Sequence, residues 1–183
     1  MHPLNNKNTR LLWMFAVGCL MFFASSCGWA QQKQKYVSKG ASGTTKYVEQ
    51  HAIDVGDVPG HQIRVARLQT TYADDPPALD GVKVVGSSAS LSSDYIDGNG
   101  RFLVYSVLLM ANGDKIYERG EAITRTSTAE DGSKKTSFSE VLTITGGTGK
   151  FSTIRGTLRQ TGATDFKLGT SDNVTEGEYW FEK

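Results

Sequence analysis

Phe138-Ser139-Glu140-Val141-Leu142-Thr143-Ile144-Thr145-Gly146-Gly147-Thr148-Gly149-Lys150-Phe151-Ser152-Thr153-Ile154-Arg155-Gly156 is the stretch whose reading decides the fold. Phe138 to Thr145 is rich in β-branched and apolar residues, the composition of a strand. Lys150 to Thr161 reads as a second strand. Between them, Gly146-Gly147-Thr148-Gly149 supplies three glycines for the positive φ angles of a hairpin connection. The Gly149-Lys150 pair suggests a phosphate loop, but the spacing fits neither GxxxxGK[ST] nor GxGxxG. The β-branched continuation with Gly156 starts no helix that could face an anion.

Outward from this hairpin, turn signals recur at short intervals. They predict strands near 47–55, 62–72, 81–93, 101–111, 115–125, 135–145, 150–161 and 175–182. Separators such as Asp74-Asp75-Pro76-Pro77, Asp97-Gly98-Asn99-Gly100 and Asn112-Gly113-Asp114 tolerate left-handed backbone or preset a turn. Eight consecutive strands with hairpin-length links predict an all-β chain. The expected form is an eight-stranded antiparallel up-and-down β-barrel, because closure removes exposed edges. The strand near 101–111 is apolar on both faces, with Phe102, Val104, Leu108 and Met110 on one and Leu103, Tyr105, Val107 and Leu109 on the other. Its outer face needs a cover, and a second copy of the chain is the simplest.

Gly146-Gly147-Thr148-Gly149-x-Phe151-x-x-x-Arg155-Gly156 resembles the GGTGxFxxARG signature of dirigent proteins, and the related allene oxide cyclases carry a GGSG version. Ile154 stands where that pattern usually has Ala. The close match covers these eleven positions, with a looser match of strand order from about Lys46 to the C-terminus. The resemblance implies an eight-stranded barrel that binds a small hydrophobic molecule, assembles as a homotrimer and steers cyclisation or isomerisation of its ligand. It leaves open whether the chain is an enzyme. The alternative is a non-catalytic structural or interaction barrel of the cell envelope, its interior filled by its own side chains.

The N-terminus reads as an export signal. Lys7 and Arg10 precede an apolar run from Leu11 to Ala24, too short to span a membrane comfortably. Gly28-Trp29-Ala30 favours cleavage before Gln31, which leaves a periplasmic or extracellular protein with no membrane span in the mature chain. Ala24-Ser25-Ser26-Cys27 is a poor lipobox and gives the alternative of a lipoprotein anchored at Cys27. The organisation expected is a signal peptide at 1–30, a flexible polar tail at 31–46 and a barrel domain at 47–183. Both cysteines, Cys19 and Cys27, fall in the leader, so the mature core stabilises the fold without disulfides. The leader takes two of the 20 Lys and Arg and none of the 19 acids. The near-neutral remainder gives no support for nucleic-acid binding.

Chemistry is sparse. Glu140 shares a face with Phe138, Leu142 and Ile144, and an inward carboxylate there would have a raised pKa suited to acid–base work. Arg155, at its motif position, is the second catalytic candidate, as a partner for that carboxylate or for a substrate anion. Alternation leaves open which way Arg155 points. Tyr105, Tyr117 and Phe138 are the ligand-binding candidates. Glu121 lies on one parity with Lys115, Arg119 and Arg125, the pattern of a solvated outer face. Asp94, Asp97 and Asn99 lack the EF-hand order, and His2, His51 and His61 are scattered, so no metal and no cofactor is expected.

Overall fold

A computed structural model describes residues 32–39, 43–72, 76–128, 130, 132, 134–165 and 170–183. The leader and both of its processing sites lie outside them. The described residues fall in one compact unit, Gln32–Lys183. Its strands are β1 (Gln34–Lys39), β2 (Gly43–Asp54), β3 (His61–Tyr72), β4 (Ala78–Leu79), β5 (Val82–Ile96), β6 (Asn99–Met110), β7 (Lys115–Thr128), β8 (Lys134–Gly147), β9 (Ile154–Asp165) and β10 (Thr170–Phe181). They form one antiparallel sheet in the order β1-β10-β9-β8-β7-β6-β5-β3-β2, with β4 on β5. The eight long strands are the eight expected, each paired with its neighbour in the chain.

Two expectations are corrected. Gln34–Lys39, inside the stretch read as a flexible tail, is a strand. It pairs with β10 from Val174 to Tyr179. β1 thereby takes the β10 edge that β2 would need for an eight-stranded closure. β2 passes close to β10, but no ladder joins them, so the sheet is curled and not closed by hydrogen bonds. The period-two alternation of Gln34-Lys35-Tyr36-Val37-Ser38-Lys39 carries the strand. Tyr36 is buried while Lys35 and Val37 are exposed.

The glycine stretch is also longer than a tight hairpin. β8 runs through Gly146 and Gly147, and a single 3-10 turn follows at Gly149–Phe151 before β9 begins at Ile154. Gly146 (φ 148°) and Gly149 (φ 50°) take positive φ, whereas Gly147 does not. Gly147 is needed for space: a Cβ there would collide with the Lys115 carbonyl and stand 2.9 Å from the Phe151 carbonyl oxygen. Asp114 ties the corner down. Its carboxylate accepts from the Lys150 amide (3.1 Å), while the Thr148 hydroxyl accepts from the Lys115 amide (2.9 Å).

This corner drives Phe151 into one end of the curled sheet. Phe151, Leu79, Ile116, Ile144, Ile154 and Val84 are fully buried there, and Phe181 stacks on Phe151 at 6.4 Å between centroids. Burying each of these side chains contributes about 1.5–3 kcal/mol, so the plug is a main source of stability in a fold without disulfides. Lys150 braces it from outside, its Nζ 2.8 Å from the Asp80 carboxylate.

Gly147→Ala should destabilise the fold by about 2–3 kcal/mol in denaturant titrations, because the backbone around the new methyl cannot yield. Gly113→Ala is the control. Gly113 has φ 87°, and a Cβ added there would meet nothing within 4 Å. Only backbone strain of about 1 kcal/mol is expected from it.

Candidate functional site

Alternation along the β7–β8 hairpin sets the inner wall. On β7, Ile116, Glu118, Ala122 and Thr124 are buried, while Lys115, Tyr117, Arg119, Glu121 and Ile123 are exposed. On β8, Glu140, Leu142 and Ile144 are buried and the residues between them exposed. Register places Ala122 opposite Glu140 and Gly120 opposite Leu142. Gly120 leaves room above the strand, since a Cβ there would stand 3.0 Å from Glu140 Oε1 and 2.8 Å from Leu142 Cδ2. Glu140 therefore leans along the wall over Gly120, toward Glu118. On the other side, Gln160 of β9 is its cross-strand neighbour.

The wall encloses a cavity of about 940 Å³. The plug closes one end. At the other, exposed Asp97 and Lys134 line its rim beside the β5–β6 and β7–β8 turns. Leu68, Leu91, Phe102, Phe138, Leu142 and Leu158 make an apolar lining. Hydroxyls of Ser87, Ser106, Thr124, Thr136 and Thr175 interrupt it, so a ligand with an apolar body and a few polar groups fits better than a pure hydrocarbon.

Two carboxyl groups open into this space. Glu118 is 7% exposed and Glu140 6%. Neither ion-pairs with a lysine, arginine or histidine, and neither has a hydrogen-bond partner, among the described residues. Burial pushes the Glu118 carboxyl up to about 8, with the Glu140 charge adding to the rise. Burial pushes Glu140 up to about 7. Burial likewise raises the phenols of Tyr36, to about 12, and of Tyr72 and Tyr95. Near neutral pH the lining thus offers neutral phenol donors and two acids, Glu118 largely protonated and Glu140 close to half ionised.

Of the residues singled out from sequence, Glu140 and Phe138 line the cavity. The other three do not. Arg155 pairs with Glu182 at 2.8 Å, and its Nη1 donates to the Ile154 carbonyl. It sits on the opposite parity to buried Ile154, Gly156 and Leu158, so it does not reach Glu140. Tyr105 is 65% exposed, because the inward set on β6 is Phe102, Val104, Ser106 and Leu108. Tyr117 lies on the outward parity of β7 with Arg119 and Glu121. Reasoning from sequence omits Glu118, although its signal is present. A solvated Lys115-Arg119-Glu121 face implies that Ile116-Glu118-Gly120-Ala122 faces in.

No family model matches the chain, and no curated protein matches it. Among solved structures, the chain is similar to the pterocarpan synthase dirigent protein PsPTS1 at 15% identity and a TM-score of 0.42, over 82% of this chain and 94% of that one.

The buried acids set a pH dependence of stability. Folding raises both carboxyls above their ordinary 4.5, so the folded chain keeps protons that the unfolded chain releases. Stability is then full below about pH 4.5, falls as pH rises through the folded values of about 7 and about 8, and levels off above. Denaturant titrations should show a loss on the order of a few kcal/mol across this window. His61, held between Asp57 (2.6 Å) and Asp94 (2.8 Å), is also raised, first by its Asp94 hydrogen bond, and loses its contribution in the same direction. The double variant E118Q/E140Q separates the two and should flatten most of the slope. A slope unchanged in that variant would assign it to His61.

Proposed function

We propose that this chain is an exported barrel that takes a small, mainly apolar molecule into its cavity and steers its cyclisation or isomerisation, with Glu118 and Glu140 carrying the proton. The observation behind this reading is the cavity of about 940 Å³ with two buried carboxyl groups on its wall that have no partner among the described residues. In an isomerisation, one carboxyl donates a proton to the ligand and the other accepts one from it, so the pair ends with its protons exchanged. In a cyclisation, a protonated carboxyl donates to the oxygen that gains charge, while the lining restricts the ligand to folded conformers. A cavity of this size weighs against an interior filled by the chain's own side chains. A purely binding role would need no buried carboxyl on the cavity wall, and Glu118 and Glu140 are both there.

Assembly belongs to the same proposal. Leu103, Tyr105 and Leu109 of β6 are exposed, as are Tyr117 and Ile123 of β7 and Val141 of β8. The exposure of this apolar face supports the homotrimer expected from the dirigent-like signature, in which further copies would cover it. Export supplies the remaining element. Cleavage before Gln31 leaves the compact unit Gln32–Lys183 whole.

A ligand screen by native mass spectrometry should find a small-molecule adduct. Calorimetry with that ligand should then show binding or turnover lost in E118Q and E140Q. Arg155→Ala should leave both intact and cost at most about 1 kcal/mol of stability, as befits a partly exposed ion pair. Loss of binding in the Arg155 variant together with normal binding in the Glu variants would overturn the site. Light scattering should give three copies for the mature chain and a single copy for Leu103→Glu. Intact mass of the exported protein should correspond to a start at Gln31, whereas acyl chains on Cys27 would show a lipoprotein.

A further inference from the structure

We infer that the deep part of the cavity takes a protonated amine carried on an apolar body, with the ammonium group held between Glu118 and Glu140. This rests on the reading of the cavity as a binding site and names the ligand class. Three observations carry it. First, two buried carboxyl groups share one cavity wall, and the charge of one acts on the other. Second, no cation of the chain answers them among the described residues. Of the two cations that line the cavity, Lys134 is exposed at the rim and Arg64 bonds to Tyr47. A buried carboxylate is costly without a counter-charge, so an incoming cation gains what the fold itself does not supply.

The third observation is the company of the pair. Tyr36 and Tyr72 line the same part of the cavity, close enough that Glu118 acts on both phenols. An ammonium group has three N–H donors, and two carboxylates with a phenol oxygen match that number. The ring faces add cation–π attraction. Above this end, the lining of Leu91, Phe102, Phe138 and Leu158 suits an apolar body. A divalent metal suits the place less well. It asks for six or more oxygen ligands, and the described residues hold no group of three or more His, Cys, Asp or Glu arranged to bind one.

The probes are tryptamine and its neutral isostere tryptophol, titrated calorimetrically into the mature protein. Tryptamine should bind at least about tenfold more tightly at pH 8, a difference of about 1.4 kcal/mol. Its advantage should grow from about pH 6 to pH 8, because the pair ionises while the amine stays charged. Repetition in buffers of different ionisation enthalpy should show protons released on tryptamine binding and none with tryptophol. The other titratable groups on the lining are Tyr36, Tyr47, Tyr72 and Tyr95, with Arg64, Asp97 and Lys134 nearer the open end. The variant E118Q/E140Q separates the pair from these. It should bind both probes equally, and it keeps the shape of the wall. Tryptophol binding as tightly as tryptamine, or a preference that survives in the double variant, overturns the inference and leaves the cavity as a binding site. Failure of both probes at millimolar concentration overturns the inference and the binding reading together.

Discussion

Phe151 against the covered end of the curled sheet is the contact on which the rest depends. A sheet of long antiparallel strands has two ends to cover, and this chain covers one with a single corner. Gly147 leaves space for the Lys115 and Phe151 carbonyls, and Gly149 takes the left-handed turn. Asp114 and Lys150 hold the corner from outside, and Phe151 falls among Leu79, Ile116, Ile144 and Ile154. The same corner pins the register of β7 against β8. With side chains alternating at a period of two, that register decides which residues of both strands face the interior.

The interior therefore divides by depth. The plug is apolar and dense, and it supplies hydrophobic stabilisation to a unit whose described residues hold no cysteine. Beyond the plug the wall loosens into a cavity, and there the chain tolerates two acids that have no partner among the described residues. Such groups cost stability, and they persist where they are kept neutral or put to use. Gly120 is part of this arrangement, since a Cβ at that position would stand 2.8 Å from Leu142 Cδ2 and the Val141 carbonyl oxygen and crowd Glu140 Oε1 at 3.0 Å. The hairpin that anchors the plug at one end thus carries the two buried carboxyls a few residues further along.

Much of this was legible in the sequence. Turn chemistry at Asp97-Gly98, Asn112-Gly113 and Gly146-Gly147 marked the eight long strands, and the company of Phe138, Leu142 and Ile144 put Glu140 on an apolar face whose inward aim was left open. Glu118 was equally legible by parity, but a charge between Ile116 and Gly120 does not resemble a core pattern. What could not be read was long-range. β1 is short and lysine-rich, and only its pairing with β10 makes it a strand. That pairing joins the two ends of the described chain, and it also determines why β2 does not close the sheet. The inward or outward aim of Tyr105, Tyr117 and Arg155 turned on the same unknown, because one residue of register moves every side chain to the other face.

Glu118 and Glu140 are buried acids whose pKa values burial raises from the ordinary carboxylate range to near neutrality. Carbon-13 NMR of glutamate side-chain carboxyls across a pH titration tests this directly, with E118Q and E140Q assigning the two resonances. The account predicts that both titrate far above the ordinary 4.5, Glu118 at about 8 and Glu140 at about 7, while surface glutamates titrate near the ordinary value. Two resonances that move with the surface glutamates would show solvated or paired carboxylates, and would contradict the account of the cavity.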